Sequence, residues 1–177
     1  MTPEKFEEVK EAYIEHITDM MADMSGIYPH ITLFGDMLNP KPEDEGKPAI
    51  IHIPIPESYM ENDNKHEFIE DLMPSIYKDL KKDFSIYAVA WASEAWMRTV
   101  SKENPELKSP KKKEILILTI GTEKEEEVII YEMKRKGKQV NKSGDLVDII
   151  ELILLPENDG ISKVSGTFAG LFKKFNK

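Results

Sequence analysis

At 177 residues, with hydrophobic side chains at 40% of positions, the chain is long enough to bury one sizeable core. A formal charge of −9 disfavours binding to a phosphate backbone, and the absence of cysteine excludes disulfides and thiolate metal sites. The longest apolar stretches, Ile115 to Ile120 and Ile149 to Leu155, fall far short of the roughly 18 residues of a membrane span, and the acidic opening Met1-Thr-Pro-Glu-Lys-Phe-Glu-Glu is unlike a secretory leader. The expectation is a single cytoplasmic domain that neither enters a membrane nor binds nucleic acid.

The first element predicted is a helix from Pro3 to Met24, with Thr2 as N-cap, Pro3 in the first turn, and Glu4, Glu7 and Glu8 near the positive end of its dipole. Phe6, Val9, Tyr13, Ile17, Met20 and Met24 recur at three- and four-residue steps, and Gly26 is placed to end the helix. Two strands follow, Tyr28 to Phe34 and Ala49 to Ile55, pairing as a hairpin across a polar loop, with Pro48, Pro54 and Pro56 suiting an edge or a strand end. A second helix is expected over Lys65 to Lys82, kinked or split at Pro74. Phe84 to Arg98 reads as a core strand that carries both tryptophans. Lys102 to Lys113 then forms a charged loop with Pro105 and Pro110.

Three further strands, Glu114 to Ile120, Glu127 to Met133 and Leu146 to Leu155, are rich in Ile, Val and Leu and are joined closely enough for an antiparallel meander. The last reversal falls either at Lys136-Gly-Lys138 or at Asn141-Lys-Ser-Gly144. A short helix from about Lys163 to Phe175 closes the chain, with Val164, Phe168, Leu171, Phe172 and Phe175 on one side. This order predicts an α+β fold: a largely antiparallel sheet of about six strands, packed by helices on one side. The middle helix leaves room for a crossover that would make one strand pair parallel.

No phosphate-binding glycine loop, nucleophile motif or familiar metal-ligand spacing occurs, so candidate sites rest on juxtaposition. His30 and His52 lie near the middle of consecutive strands, where a hairpin could set them side by side, with Asp36 and Glu57 after the strand ends. Imidazole with carboxylate suits zinc, manganese or iron, and His30, His52 and Asp36 are the candidate ligands for a divalent metal. A one-residue slip in register would separate the two rings onto opposite faces. No cofactor is predicted on the favoured reading, and a divalent metal belongs to the alternative one. The tripeptides His16-Ile-Thr18 and His30-Ile-Thr32 resemble the paired motifs of two-histidine phosphoesterases; the position of His16 in a helix and the separation of only 14 residues argue against that family.

Glu94, between Trp91 and Trp96, is the candidate catalytic carboxylate, since low dielectric would raise its pKa. Strand alternation puts Glu94 and Trp96 on one face with Ala90 and Ala92, and Trp91 on the other with Ser93 and Met97. Trp91, Trp96, Phe168 and Phe172 are the candidate binding residues. Lys108, Lys111, Lys112 and Lys113 in a loop, with Lys134, Arg135, Lys136 and Lys138 at a hairpin tip, would supply any basic face.

The stretch Ser93-Glu94-Ala95-Trp96-Met97, followed by Ser109-Pro110 and Lys113-Glu114-Ile115-Leu116, resembles a pattern in uncharacterised bacterial and phage proteins of unknown function. The resemblance covers Trp91 to Ile120 and implies a shared strand-loop-strand unit; it carries over no catalytic residue. On these grounds the favoured reading is a small accessory protein, with phage origin in view, that binds another protein or itself through the C-terminal helix or a sheet edge. The alternative is a metal-dependent hydrolase or ligand-binding enzyme using His30 and His52.

Overall fold

The Thr2 hydroxyl accepts a hydrogen bond from Lys5 N at 3.3 Å and opens helix α1, Pro3–Met24. The helix ends one residue earlier than Gly26 suggested, at Ser25, which takes the left-handed conformation with φ 59° and donates its amide to the Met21 carbonyl. In the computed structural model, residues 2–60, 65–97, 112–155 and 170–175 are described. No helix among them is long and apolar enough to cross a membrane.

Six strands, β1 His30–Met37, β2 Pro48–Pro54, β3 Phe84–Met97, β4 Lys113–Gly121, β5 Glu126–Val140 and β6 Leu146–Leu154, form one sheet in the order β2-β1-β3-β4-β5-β6. Every neighbouring pair is antiparallel, so the expected α+β class holds and, among the described residues, no crossover makes a parallel pair. β5 runs past the first reversal offered by the sequence: Lys134, Arg135, Lys136 and Lys138 lie on the strand, and the chain turns at Asn141 to Gly144. Register shifts at Phe34/Gly35 and Arg135/Gly137 add local twist.

Helices cover both faces of the sheet, not one. On the first face α1 buries Phe6, Val9, Tyr13, Ile17 and Met21 against Phe34 and the Ala88, Ala90 and Ala92 run of β3. Those alanines face α1 without bulk, which lets the helix settle close to the sheet centre. The buried methionine is Met21; Met20 is half-buried and Met24 is 56% exposed.

On the second face lie α2 Glu57–Met60, α3 Lys65–Glu67, a π turn Phe68–Leu72, α4 Met73–Leu80 and the C-terminal α5 Leu171–Phe175. Pro74 lacks the N–H that would bond one turn back, and the chain passes this point through the π turn, where the Met73 amide reaches the Phe68 carbonyl. Leu171, Phe172 and Phe175 are buried in the cluster that holds Tyr77, Trp91 and Phe68. The apolar stripe assigned to a partner is thus part of the chain's own core, while Phe168 and the start of the expected C-terminal helix lie outside the described residues.

The sheet curls around α1, which is tied to it on both the β6 side and the β1 side. On the β6 side, the amide of Asp148 donates to Ser25 Oγ at 2.6 Å, and Asn141 Nδ2 donates to the Asp23 carbonyl at 2.8 Å. On the β1 side, α1 runs antiparallel to the strand. Lys5 Nζ meets Asp36 at 3.0 Å, Tyr13 stands edge-on to Phe34 at 6.1 Å, and Met20 Sδ accepts from Tyr28 N at 3.3 Å. His16 falls between those last two contacts.

Candidate metal centre

The register of the first hairpin decides which side chains converge. Thr32 stands opposite His52 and His30 opposite Pro54, so His30 and His52 are diagonal neighbours on one face of the β1–β2 pair. Phe34 of β1 packs under α1, whereas Ile31, Leu33 and Ile53 belong to the cluster on the other face; period-two alternation therefore points His30, Thr32 and His52 toward α1. His16 comes down to meet them, one helical step from the buried Tyr13.

The three imidazoles form one cluster. His16 and His52 stack with centroids 4.1 Å apart and planes 14° from parallel, and His30 stands nearly perpendicular to both at 5.4 Å. One ring nitrogen from each lies within 4.8 Å of the other two. His30 is buried, His16 half-buried and His52 exposed on the edge strand, so the cluster has a closed floor and an open side.

Hydrogen bonds constrain two of the rings. His30 Nδ1 lies 2.6 Å from the Tyr28 carbonyl, and since a carbonyl only accepts, Nδ1 carries the proton and Nε2 the lone pair. That Nε2 is buried with no hydrogen-bond partner, and so is His16 Nε2. His52 Nδ1 lies 3.1 Å from the Thr32 hydroxyl. Two buried nitrogens without partners on adjacent imidazoles are costly unless something fills the space between them.

Electrostatics keep the cluster neutral. Desolvation lowers the pKa of all three histidines; the charge of His30 adds to the effect at His16, and those of His16 and His30 push His52 down to about 4. Asp19, one turn along from His16, opposes this by favouring positive charge there. Neutral imidazoles beside an acidic side chain suit a cation and disfavour a phosphate. A tetrahedral ion with bonds of about 2.0–2.1 Å holds its nitrogens about 3.4 Å apart, so no pair needs to close by more than about 1.4 Å. His52, exposed on the edge strand, is the ring placed to tilt.

Of the ligands expected from sequence, His30 and His52 are brought together and Asp36 is not. Asp36 lies at the far end of β1, six residues or roughly 20 Å from His30, bonded to Lys5. Its place is taken by His16, whose signal in the sequence was its position on the inner stripe of α1, three residues after Tyr13 and four before Met20. Glu94 is exposed, and its carboxylate accepts the Ile27 amide at 2.9 Å; Trp91 is buried on the opposite face and Trp96 is 66% exposed. The apolar enclosure expected around Glu94 does not form. Three of the cations on β4 and β5 are drawn into ion pairs: Lys113 with Glu132, Lys136 with Glu151, and Arg135 with Glu114 and Asp148. Lys108 and Lys111 lie outside the described residues.

No protein-family model, curated protein or solved structure matches this chain. The function is therefore read from the three-histidine geometry.

Proposed function

We propose that this protein binds one transition-metal ion through His16, His30 and His52. The observation that carries the reading is the pair of buried Nε2 atoms on His16 and His30 that lack hydrogen-bond partners, together with a third imidazole at the open side. A metal ion supplies what those lone pairs lack, and the Tyr28 carbonyl and the Thr32 hydroxyl act as outer-shell partners that orient His30 and His52. Three imidazoles leave a fourth coordination position to be filled by water or by a further ligand. A cysteine-free, acidic chain suits this role in the reducing cytoplasm.

The test is isothermal titration of metal-free protein with zinc, copper and manganese, repeated on His16→Ala, His30→Ala and His52→Ala. One ion per chain, lost in each variant, is the expected result. Equal binding by the wild type and all three variants would sink the proposal.

A second reading, association with another protein or with a second copy, is supported by Trp96, which is 66% exposed beside Glu94 at the end of β3. Concentration-dependent sedimentation that Trp96→Ala abolishes is the outcome this reading requires. Identical monomeric behaviour of the two proteins would remove it.

A further inference from the structure

A three-imidazole centre can be completed by water or by a further protein ligand, and the surroundings point to the latter. Met20 follows His16 by four residues on α1, so the two share a helix face. Long side chains on a helix lean back toward its N-terminus, which carries the Met20 side chain over the turn of His16. Its thioether already reaches the segment that leads into β1, with Sδ 3.3 Å from Tyr28 N, and the carbonyl of that same Tyr28 holds His30 Nδ1 at 2.6 Å. One residue of backbone thus ties both the sulfur and the buried imidazole, and a swing about the flexible thioether bonds is the motion needed to bring sulfur to the ion.

Met24 continues the line one turn further on and is 56% exposed, where a methionine filling the core would be covered. The succession His16, Met20, Met24 therefore runs along α1 from the centre to solvent, with thioethers at its outer two positions. Thioether sulfur is a soft donor that favours copper(I), whereas hard ions such as magnesium and manganese prefer oxygen.

We infer that the ion is copper(I), bound by His16, His30 and His52 with the thioether of Met20 as fourth ligand, and reached along Met24. This rests on the three-histidine reading above and assigns the metal within it. A centre closed by sulfur holds and passes on an ion and leaves no position for activating water.

The experiment is anaerobic competition against a chromophoric copper(I) chelator, with zinc affinity measured in parallel, on wild type, Met20→Leu and His30→Ala. Leucine keeps the size and apolarity of methionine but has no donor atom. Weakening of copper(I) binding by about tenfold or more in Met20→Leu, with zinc binding unchanged, is expected. Unchanged copper(I) affinity in Met20→Leu, with both metals lost in His30→Ala, would overturn the copper assignment and leave the three-histidine site intact. Loss of neither metal in His30→Ala would overturn both. X-ray absorption of the copper-loaded wild type decides independently of the variant's folding: a sulfur scatterer beside the nitrogens supports the assignment, and a shell of nitrogen and oxygen alone refutes it.

Discussion

His16 on α1 and His52 on the edge strand β2 stack face to face with centroids 4.1 Å apart, although 36 residues separate them in the chain. Two parallel imidazoles at that distance cannot both be charged without strong repulsion, and this sets how the metal-free protein responds to acid.

The three histidines of the cluster have folded-state pKa values below the ordinary 6.5, with His52 at about 4. The unfolded chain therefore takes up protons near pH 6.5 while the folded one resists them, so stability is full above that pH and is lost as pH falls toward 4. Because the His52 ring meets solvent, its share is about 1 kcal/mol and not the full value of the shift. Thermal melts at pH 7.5, 5.5 and 4.5 should show a steeper loss for wild type than for His52→Gln; parallel curves would refute this.

Metal binding should stabilise the fold by mass action. An ion at a hundredfold over its dissociation constant adds about 2.7 kcal/mol, read as a rise in melting temperature that a chelator reverses. The rise should vanish in His16→Ala and in His30→Ala but persist in Asp36→Asn, since Asp36 pairs with Lys5 away from the cluster.

Thr32 is not among the proposed ligands, yet its hydroxyl lies 3.1 Å from His52 Nδ1. Thr32→Val should lower metal affinity by about tenfold while barely moving the melting temperature of the metal-free protein. A variant that binds metal as tightly as wild type would show that the hydroxyl does not orient the ring.

Gly35 sits at the register shift of β1, where an added Cβ would lie 2.9 Å from the Ser85 carbonyl oxygen and 3.2 Å from Ile86 Cα. Both obstacles are backbone of the neighbouring strand. Gly35→Ala should cost about 1–3 kcal/mol in denaturant unfolding, as overpacking of a closed site does.

Phe172→Ala should cost about 3 kcal/mol or more, because the ring lies in the core beside Tyr77 at 6.2 Å. Trp96→Ala, at an exposed position, should change stability by less than about 0.5 kcal/mol. Equal effects in the two variants would mean that α5 is not part of the folded core.

Most of the fold was legible because its signals are local. Thr2 and Pro3 mark the start of α1, Pro74 marks the break in the middle helix, and alternation along β3 sorts Ala90 and Ala92 from Trp91. The full length of β5 is not legible, because Lys134 to Lys138, with a glycine among them, carry the composition of a turn; what extends the strand is pairing with β6 and the capture of Arg135 by Glu114 and Asp148. The centre was half legible. His30 and His52 follow from the hairpin, but joining His16 to them requires the angle at which α1 crosses the sheet, which is set by nonlocal packing. Asp36 is near His30 in sequence, but strand extension carries it away.

All three imidazoles come from the first 52 residues, a helix and the hairpin that follows it. An ion held by them would tie off two successive loops, of 14 and 22 residues, in a chain without a single cysteine. Closing loops of that length takes entropy from the unfolded chain much as a pair of cross-links does. The N-terminal third of the sequence would then be the last part to open in the loaded protein, although β2 is an outer strand of the sheet.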